Sequence, residues 1–289
     1  MAMIDNLTII VLTYNEENRI KKVLDSIRCV TTNIFVVDSF STDDTVNILK
    51  EYNVNYIQHP FENYSKQRNW AQTNDPYDSA WVMHLDADEP ITSELENWLN
   101  NDFLSMRNNF DGFLFSRKTY FLGRWIKNGG QYPNFHLRLY KKMLGKCEEK
   151  AYDQHFVVEG GNVKVIKGMD IYNTVADSID DFILSHNKWA TLEAQEIFNG
   201  GKDKGDVQEN LYGNPIERRR WMKVHVFQKS PLFIRSFVYF IYRYFIRLGF
   251  LDGKEGLIFF VLQTFWFRFL VDAKVLEIQK QDLPRKENQ

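Results

Sequence analysis

Cysteine is scarce. Cys29 and Cys147 are the two in 289 residues, far apart and without metal-ligand spacing, which excludes a disulfide framework and points to a reducing compartment. Glycine-rich phosphate loops are missing: there is no G-x-G-x-x-G and no Walker A stretch, so neither a dinucleotide fingerprint nor a P-loop is available. No apolar run reaches the roughly 18 uncharged residues that argue for a membrane span. The opening residues carry no basic stretch, and the apolar run Leu7 to Leu12 is too short for a secretory leader. A net charge of -2 leaves no overall basic footprint, so nucleic acid is not an expected partner. There is no internal repeat.

What is present is ample apolar material, 44% of residues, enough for one large domain or two small ones. The even charge balance hides an asymmetry. Asn214 to Lys254 holds nine Lys and Arg against Glu217 and Asp252, a surplus of +7 that leaves the remainder at -9.

Leu7 to Thr13 is a continuous apolar, β-branched run, the pattern of a strand buried on both faces. It leads through Tyr14-Asn15-Glu16-Glu17 into an amphipathic helix with Ile20, Val23, Leu24 and Ile27 on one face. Asn33 to Val37 predicts a second buried strand closing at Asp38, then a helix capped by Thr42 or Asp43 and carrying Val46, Ile48 and Leu49. Val54 to Ile57, Ser65 to Ala71 and Trp81 to Leu85 continue as strand, helix and strand. This alternation predicts an α/β layer with a mostly parallel sheet flanked by helices. Beyond Asp111 the pattern changes. Strands are expected over Gly112 to Arg117, His136 to Tyr140 and Gln154 to Val158, with a long glycine-containing loop over Tyr120 to Gly130. Ser178 to Phe198 reads as a helix with Ile179, Phe182, Ile183, His186 and Ala190 facing inward, and Gly200 to Gly205 as a linker.

The stretch Trp81 to Pro90 organises the chain. Its apolar strand ends in Asp86 and Asp88, one residue apart, so alternation sends both carboxylates to one side at the rim of a sheet. Two hard oxygen ligands at that place suit a divalent cation shared with substrate phosphates. A plainer reading is a helix entry, since Glu89, Pro90 and Thr92-Ser93 follow. Polar residues gather after the other strand ends as well, at Thr13 to Glu16 and at Asp38, where open α/β sheets bind ligands.

Thr13-Tyr-Asn-Glu-Glu17, Val36-Val-Asp38-Ser-Phe-Ser-Thr-Asp43, Gln67-Arg-Asn69 and Leu85-Asp-Ala-Asp-Glu89 stand in an order that resembles inverting glycosyltransferases of family 2, with a GT-A fold. Tyr120-Phe-Leu-Gly-Arg-Trp125, Gly129-Gly-Gln-Tyr-Pro133 and Leu137-Arg-Leu139 further resemble bacterial enzymes that build lipopolysaccharide cores. The similarity spans roughly residues 5 to 275, and its weight lies in four ordered motifs rather than in any one. It implies a nucleotide-sugar site lined by Thr13, Tyr14, Glu16, Asp38, Lys66, Arg68 and Asp86, with Asp38 accepting from the base and Arg68 meeting the nucleotide. It implies that Asp86 and Asp88 position Mg²⁺ or Mn²⁺ on the diphosphate, whose developing charge a metal neutralises.

An inverting enzyme also needs a base for the acceptor hydroxyl. Relatives carry a Glu in the matching stretch, and here that position is Gln154, which cannot act as a base. Asp153 beside it is the candidate, with His155 second because imidazole titrates near neutrality. The His that relatives have near Ile171-Tyr172-Asn173 is also missing, which leaves a third metal ligand open. Arg124, Trp125 and Tyr132 on the glycine-containing loop are acceptor-site candidates, with Gly123, Gly129 and Gly130 as hinges.

Pro231 to Val271 predicts two amphipathic helices. Phe233, Phe237, Ile241, Tyr244 and Leu248 share one face, and Arg235, Tyr239, Arg243 and Arg247 form the opposite stripe. A basic polar face suits a helix lying in an anionic headgroup layer, or the helices form a homodimer contact. The expected organisation is a catalytic domain over 1–200, with a nucleotide-sugar half 1–110 and an acceptor half 111–200, then a basic, aromatic helical extension 201–289. The expected activity is metal-assisted, inverting transfer from a nucleotide-diphosphate sugar, UDP-linked, to a glycolipid or lipid-linked glycan, by a peripheral enzyme on the inner face of the cytoplasmic membrane. The alternative is a non-catalytic nucleotide-sugar-binding or scaffolding protein of the same fold, motivated by Gln154.

Overall fold

In the computed structural model, residues 3–150, 152–199 and 205–286 are described. Most of the expected Gly200 to Gly205 linker lies outside them. The strands are β1 (Leu7–Thr13), β2 (Ile34–Asp38), β3 (Asn55–Gln58), β4 (Trp81–Asp86), β5 (Gly112–Phe121), β6 (Arg124–Trp125), β7 (Phe135–Lys141), β8 (Gly145–Cys147), β9 (Phe156–Val158) and β10 (Val163–Thr174). The helices are α1 (Ile20–Ile27), α2 (Thr45–Glu51), α3 (Tyr64–Thr73), α4 (Ser93–Asn101), α5 (Phe103–Met106), α6 (Ile179–Phe198), α7 (Pro215–Met222), α8 (Ile234–Ile241), α9 (Gly253–Phe260) and α10 (Phe267–Lys286).

The sheet runs β10-β5-β7-β4-β1-β2-β3, with β6 paired to β5. β1, β2, β3 and β4 are parallel, and β7 enters antiparallel between β4 and β5. This is the mixed α/β arrangement expected of a GT-A fold. β1 and β2 are buried along their whole length, as their unbroken apolar runs require. Ile20, Val23, Leu24 and Ile27 of α1 are the residues that cover one face, packing into a core with Val11, Val36, Leu85 and Trp98.

The chain divides into two compact units, Met1–Lys118 with Asn134–Glu149 and Gln154–Asn173, and Thr119–Pro133 with Lys150–Asp153 and Thr174–Gln289. These bounds differ from the expected division at residue 200. In the second unit α6 is capped by Ser178, whose hydroxyl accepts from Asp181 N. Its Phe182 and His186 are buried, but Ile183 is exposed, against expectation. Ala190 and Ala194 pack on Phe267, Val271 and Val275 of α10.

Other expectations need correction. Neither Thr42 nor Asp43 caps α2. The cap position is Asp44 without a side-chain bond, and the Asp43 carboxylate instead accepts from Glu17 N and Thr45 N. The loop expected over Tyr120 to Gly130 begins as a β-hairpin, β6 folding back on β5 through Leu122 and Gly123, both at positive φ. β10 was not expected at all, because Lys164, Lys167 and Gly168 break its alternation. Finally, Gly249–Asp282 forms one helical run containing an 18-residue stretch of mean hydropathy 1.5, long and apolar enough to cross a membrane by length and composition.

Candidate active site

Register builds the site. Thr13 pairs with Asp38 across β1 and β2, and Leu12 pairs with Asp86 across β1 and β4, so three strands deliver their polar ends side by side. The loops that follow are tied together. Asn15 N donates to Ser41 Oγ at 2.8 Å, Thr42 N to Asn15 Oδ1 at 2.8 Å, and Glu16 N to Thr45 Oγ1 at 2.8 Å. Asn15 sits at φ 54, a left-handed position that Asn tolerates. Tyr14 is exposed beside this loop, and the Thr13 hydroxyl is buried without a hydrogen-bond partner among the described residues. Asp38 is fully buried and accepts from Ser41 N at 3.0 Å, from Ser41 Oγ, and from Gln58 Nε2 at 2.9 Å. Glu16 accepts from Arg19 at 2.6 and 2.8 Å.

The Asp-x-Asp stretch holds two unlike carboxylates. Arg68 of α3 donates to Asp86 at 2.9 and 3.2 Å, and Arg138 of β7 donates to it at 3.3 Å. Burial opposes ionisation, but those guanidinium groups hold Asp86 below its ordinary range. Asp88 makes no hydrogen bond or ion pair among the described residues. Burial, then the charges of Glu89 and Asp86, push its carboxyl up to about 8. Glu89 is buried and meets Arg138 at 2.6 Å and Arg117 at 2.6 Å. The expected helix entry is present too, with Thr92 capping α4.

Those observations test the fit of a cation. Among the described residues no group of three or more His, Cys, Asp or Glu is arranged to hold one. Asp86 spends its oxygens on arginines, whereas Asp88 lies in an acidic corner with Glu16 and Glu89 that the charge of Arg19 offsets only in part. A cation held here would take Asp88 and draw its remaining ligands from substrate phosphate and water, as Mg²⁺ commonly does.

Of the remaining expected residues, α3 turns Lys66 outward, where it pairs with Glu62, while Arg68 two residues on faces Asp86. The two base candidates fall in different units. In the first unit the His155 Nδ1 lies 3.1 Å from Glu148 Oε1, and His155 N donates to the same oxygen at 2.9 Å. In the second unit Asp153, at φ 56, accepts from Lys223 Nζ at 2.9 Å, and Lys223 also meets Glu193 at 3.1 Å. Trp125 and Tyr132, also in the second unit, meet edge to face with centroids 5.2 Å apart, and Arg124 lies 3.8 Å from Glu255.

Sequence reasoning passed over Glu89, Arg117, Arg138 and Glu148 as individual site residues. The signal for Arg138 was its place in the middle of the apolar strand Phe135–Lys141, where a buried charge requires a partner. Glu148 gave no comparable signal.

A mixed sheet that brings its parallel strand ends together with an Asp-x-Asp corner and an arginine-lined floor has the arrangement of a group-transfer enzyme of the GT-A fold. The description of glycosyl transferase family 2 matches residues 8–166, more than half of the chain, and the chain belongs to that family. It is 26% identical over 278 residues to an uncharacterised glycosyltransferase of Rickettsia typhi, covering 93% of this chain and 86% of that one. It is 26% identical over 204 residues to the lipopolysaccharide core biosynthesis glycosyltransferase LpsC of Rhizobium meliloti, covering 68% and 73%. Among solved structures it resembles S. aureus TarS 1–349 in complex with UDP-GlcNAc, at 15% identity, TM-score 0.46, and coverage of 96% and 92%. The protein is a glycosyltransferase.

Proposed function

We propose that the protein transfers a sugar, with inversion, from a UDP-linked donor to a hydroxyl of a glycolipid or lipid-linked glycan met at the inner face of the cytoplasmic membrane. The observation that carries this reading is the Asp88 carboxylate, unpaired among the described residues, which follows the arginine-held Asp86 at the end of β4, in a sheet whose β1 and β2 end at Thr13 and Asp38. A divalent cation held there would neutralise the charge that develops on the leaving diphosphate. Arg68 and Arg138 fix Asp86 and keep the floor of the site cationic, and Asp38 with Ser41 and Gln58 offers polar groups to a base. The likeness to LpsC, named for lipopolysaccharide core biosynthesis, supports a glycolipid acceptor.

The base is Asp153 or His155. Asp153 is engaged by Lys223, whereas the Glu148 carboxylate behind the His155 ring orients the imidazole and fixes its tautomer. Purified protein incubated with a panel of UDP-sugars, Mn²⁺ and a lipid-A-core glycolipid extract tests the function. Release of UDP coupled to acceptor labelling is the expected result. Donor binding without UDP release under every condition would instead support the non-catalytic alternative.

A further inference from the structure

We propose that the outer face of α8 and the π-helical turn after it, Tyr242–Ile246, inserts into the acyl boundary of an anionic lipid surface. This rests on the surface of the second unit and not on the glycosyl-transfer reading.

Two arginines of the expected polar stripe do not reach an outer surface. Arg235 does not face outward: it is buried and bonded through Nε at 2.9 Å and through Nη2 to Asp272, which is itself fully buried. Arg243 also turns inward, donating to Gly129 O, to Tyr239 Oη at 2.5 Å and to Gln131 Oε1 at 3.0 Å. What the segment shows outside is Ile234, Phe237, Val238, Ile241, Phe245 and Ile246, each 50 to 67% exposed. Their spacing of three and four residues makes one continuous stripe. Water would favour the opposite arrangement, with guanidinium groups out and branched apolar side chains in. A helix that pairs its arginines internally and presents Ile, Val and Phe outward is built for an apolar neighbour.

Charge selects lipid over a second copy. Every exposed charged residue between Asn214 and Lys254 is basic, Arg218, Lys229, Arg247 and Lys254 among them, while Glu217 is engaged in capping α7 and Asp252 is buried. A two-fold contact through α8 would bring the basic residues that flank it in sequence toward their own copies. An anionic headgroup layer complements those basic residues, and the acyl boundary beneath it accepts the stripe.

Flotation with phosphatidylcholine vesicles containing phosphatidylglycerol tests this. The protein should float with the vesicles, and a substantial share should stay bound in 0.5 M salt, because insertion is screened far less than charge pairing. Val238→Asp/Ile241→Asp should lower the partition coefficient by about tenfold or more while the thermal midpoint holds. Ile246→Ser, a milder change, should lower it to a lesser degree. Three results would overturn the proposal: no flotation of the wild-type protein, binding abolished by salt and indifferent to these substitutions, or a dimer that Val238→Asp/Ile241→Asp converts to monomer. UDP release, assayed in parallel with the glycolipid extract as acceptor and without the phosphatidylglycerol vesicles, separates the readings. Vesicle binding without UDP release sinks the catalytic reading alone, and UDP release without vesicle binding sinks this one alone.

Discussion

Asp88 combines two properties with opposite consequences. Its carboxyl is pushed up to about 8 by burial and by its acidic neighbours, so the folded protein disfavours the charge that the unfolded chain carries at neutral pH. Asp88→Ala in chelator-treated protein should therefore raise the thermal midpoint at pH 7.5, the sign expected where a strained site serves activity. The same substitution should lower kcat by on the order of a hundredfold or more, as for other losses of transition-state electrostatics. A variant that melts lower and turns over normally would contradict both expectations. For the base, Asp153→Asn and His155→Ala are to be compared in the same UDP-release assay. The variant lacking the true base should lose about 10²–10⁴ in rate while donor binding persists. At this scale the sequence was legible where chemistry is announced by spacing. Thr13, Asp38 and Asp86 come together because strand ends fix them, and Arg68 joins them from α3. Lys66 was misleading because a helix turns neighbours apart, and Glu148 was silent because its partner His155 comes from a separate strand pairing.

Helices and hairpins add constraints that no motif encodes. Gly129 stands at φ 62, and a Cβ there would lie 2.2 Å from the Phe260 ring. Gly129→Ala should cost about 1–3 kcal/mol through backbone strain and overpacking together, read as a fall in thermal midpoint. Arg235 is the buried arginine of α8. Arg235→Leu strands the buried Asp272 carboxylate and should cost about 3–5 kcal/mol, whereas Arg235→Leu/Asp272→Leu should recover most of that loss. Were Arg235 a surface charge, the single change would be nearly neutral. In α6, burial holds the His186 imidazole below its ordinary 6.5, against hydrogen bonds to Phe182 O and the Gln263 amide. The folded state thus prefers the neutral ring. Its contribution is complete above pH 6.5 and is lost as pH falls below that toward the depressed value. Thermal midpoints measured from pH 7.5 to 5.5 should drop more steeply for the wild-type protein than for His186→Phe.

Across the whole molecule, the parallel half of the sheet was readable because buried strands carry unbroken apolar runs and the α1 face repeats at helical spacing. The later strands were harder. β10 alternates imperfectly, and the hairpin of β5 and β6 depends on Leu122 at φ 47, a conformation that a leucine gives no reason to expect. The helical face of α8 was read correctly as amphipathic, but Arg235 and Arg243 of its polar stripe pair inside the protein, because a hydrophobic period does not say which partners the polar side will find.

The division of the chain has a practical edge. It passes between the two compact units at 118/119, 133/134, 149/150, 153/154 and 173/174. Neither unit is a contiguous stretch of polypeptide, so a ribosome cannot finish the first before it has begun the second, and no stop codon yields either alone. A protease nicking the native protein once leaves both halves stitched by the remaining passages. The two units are inherited, synthesised and degraded as one object.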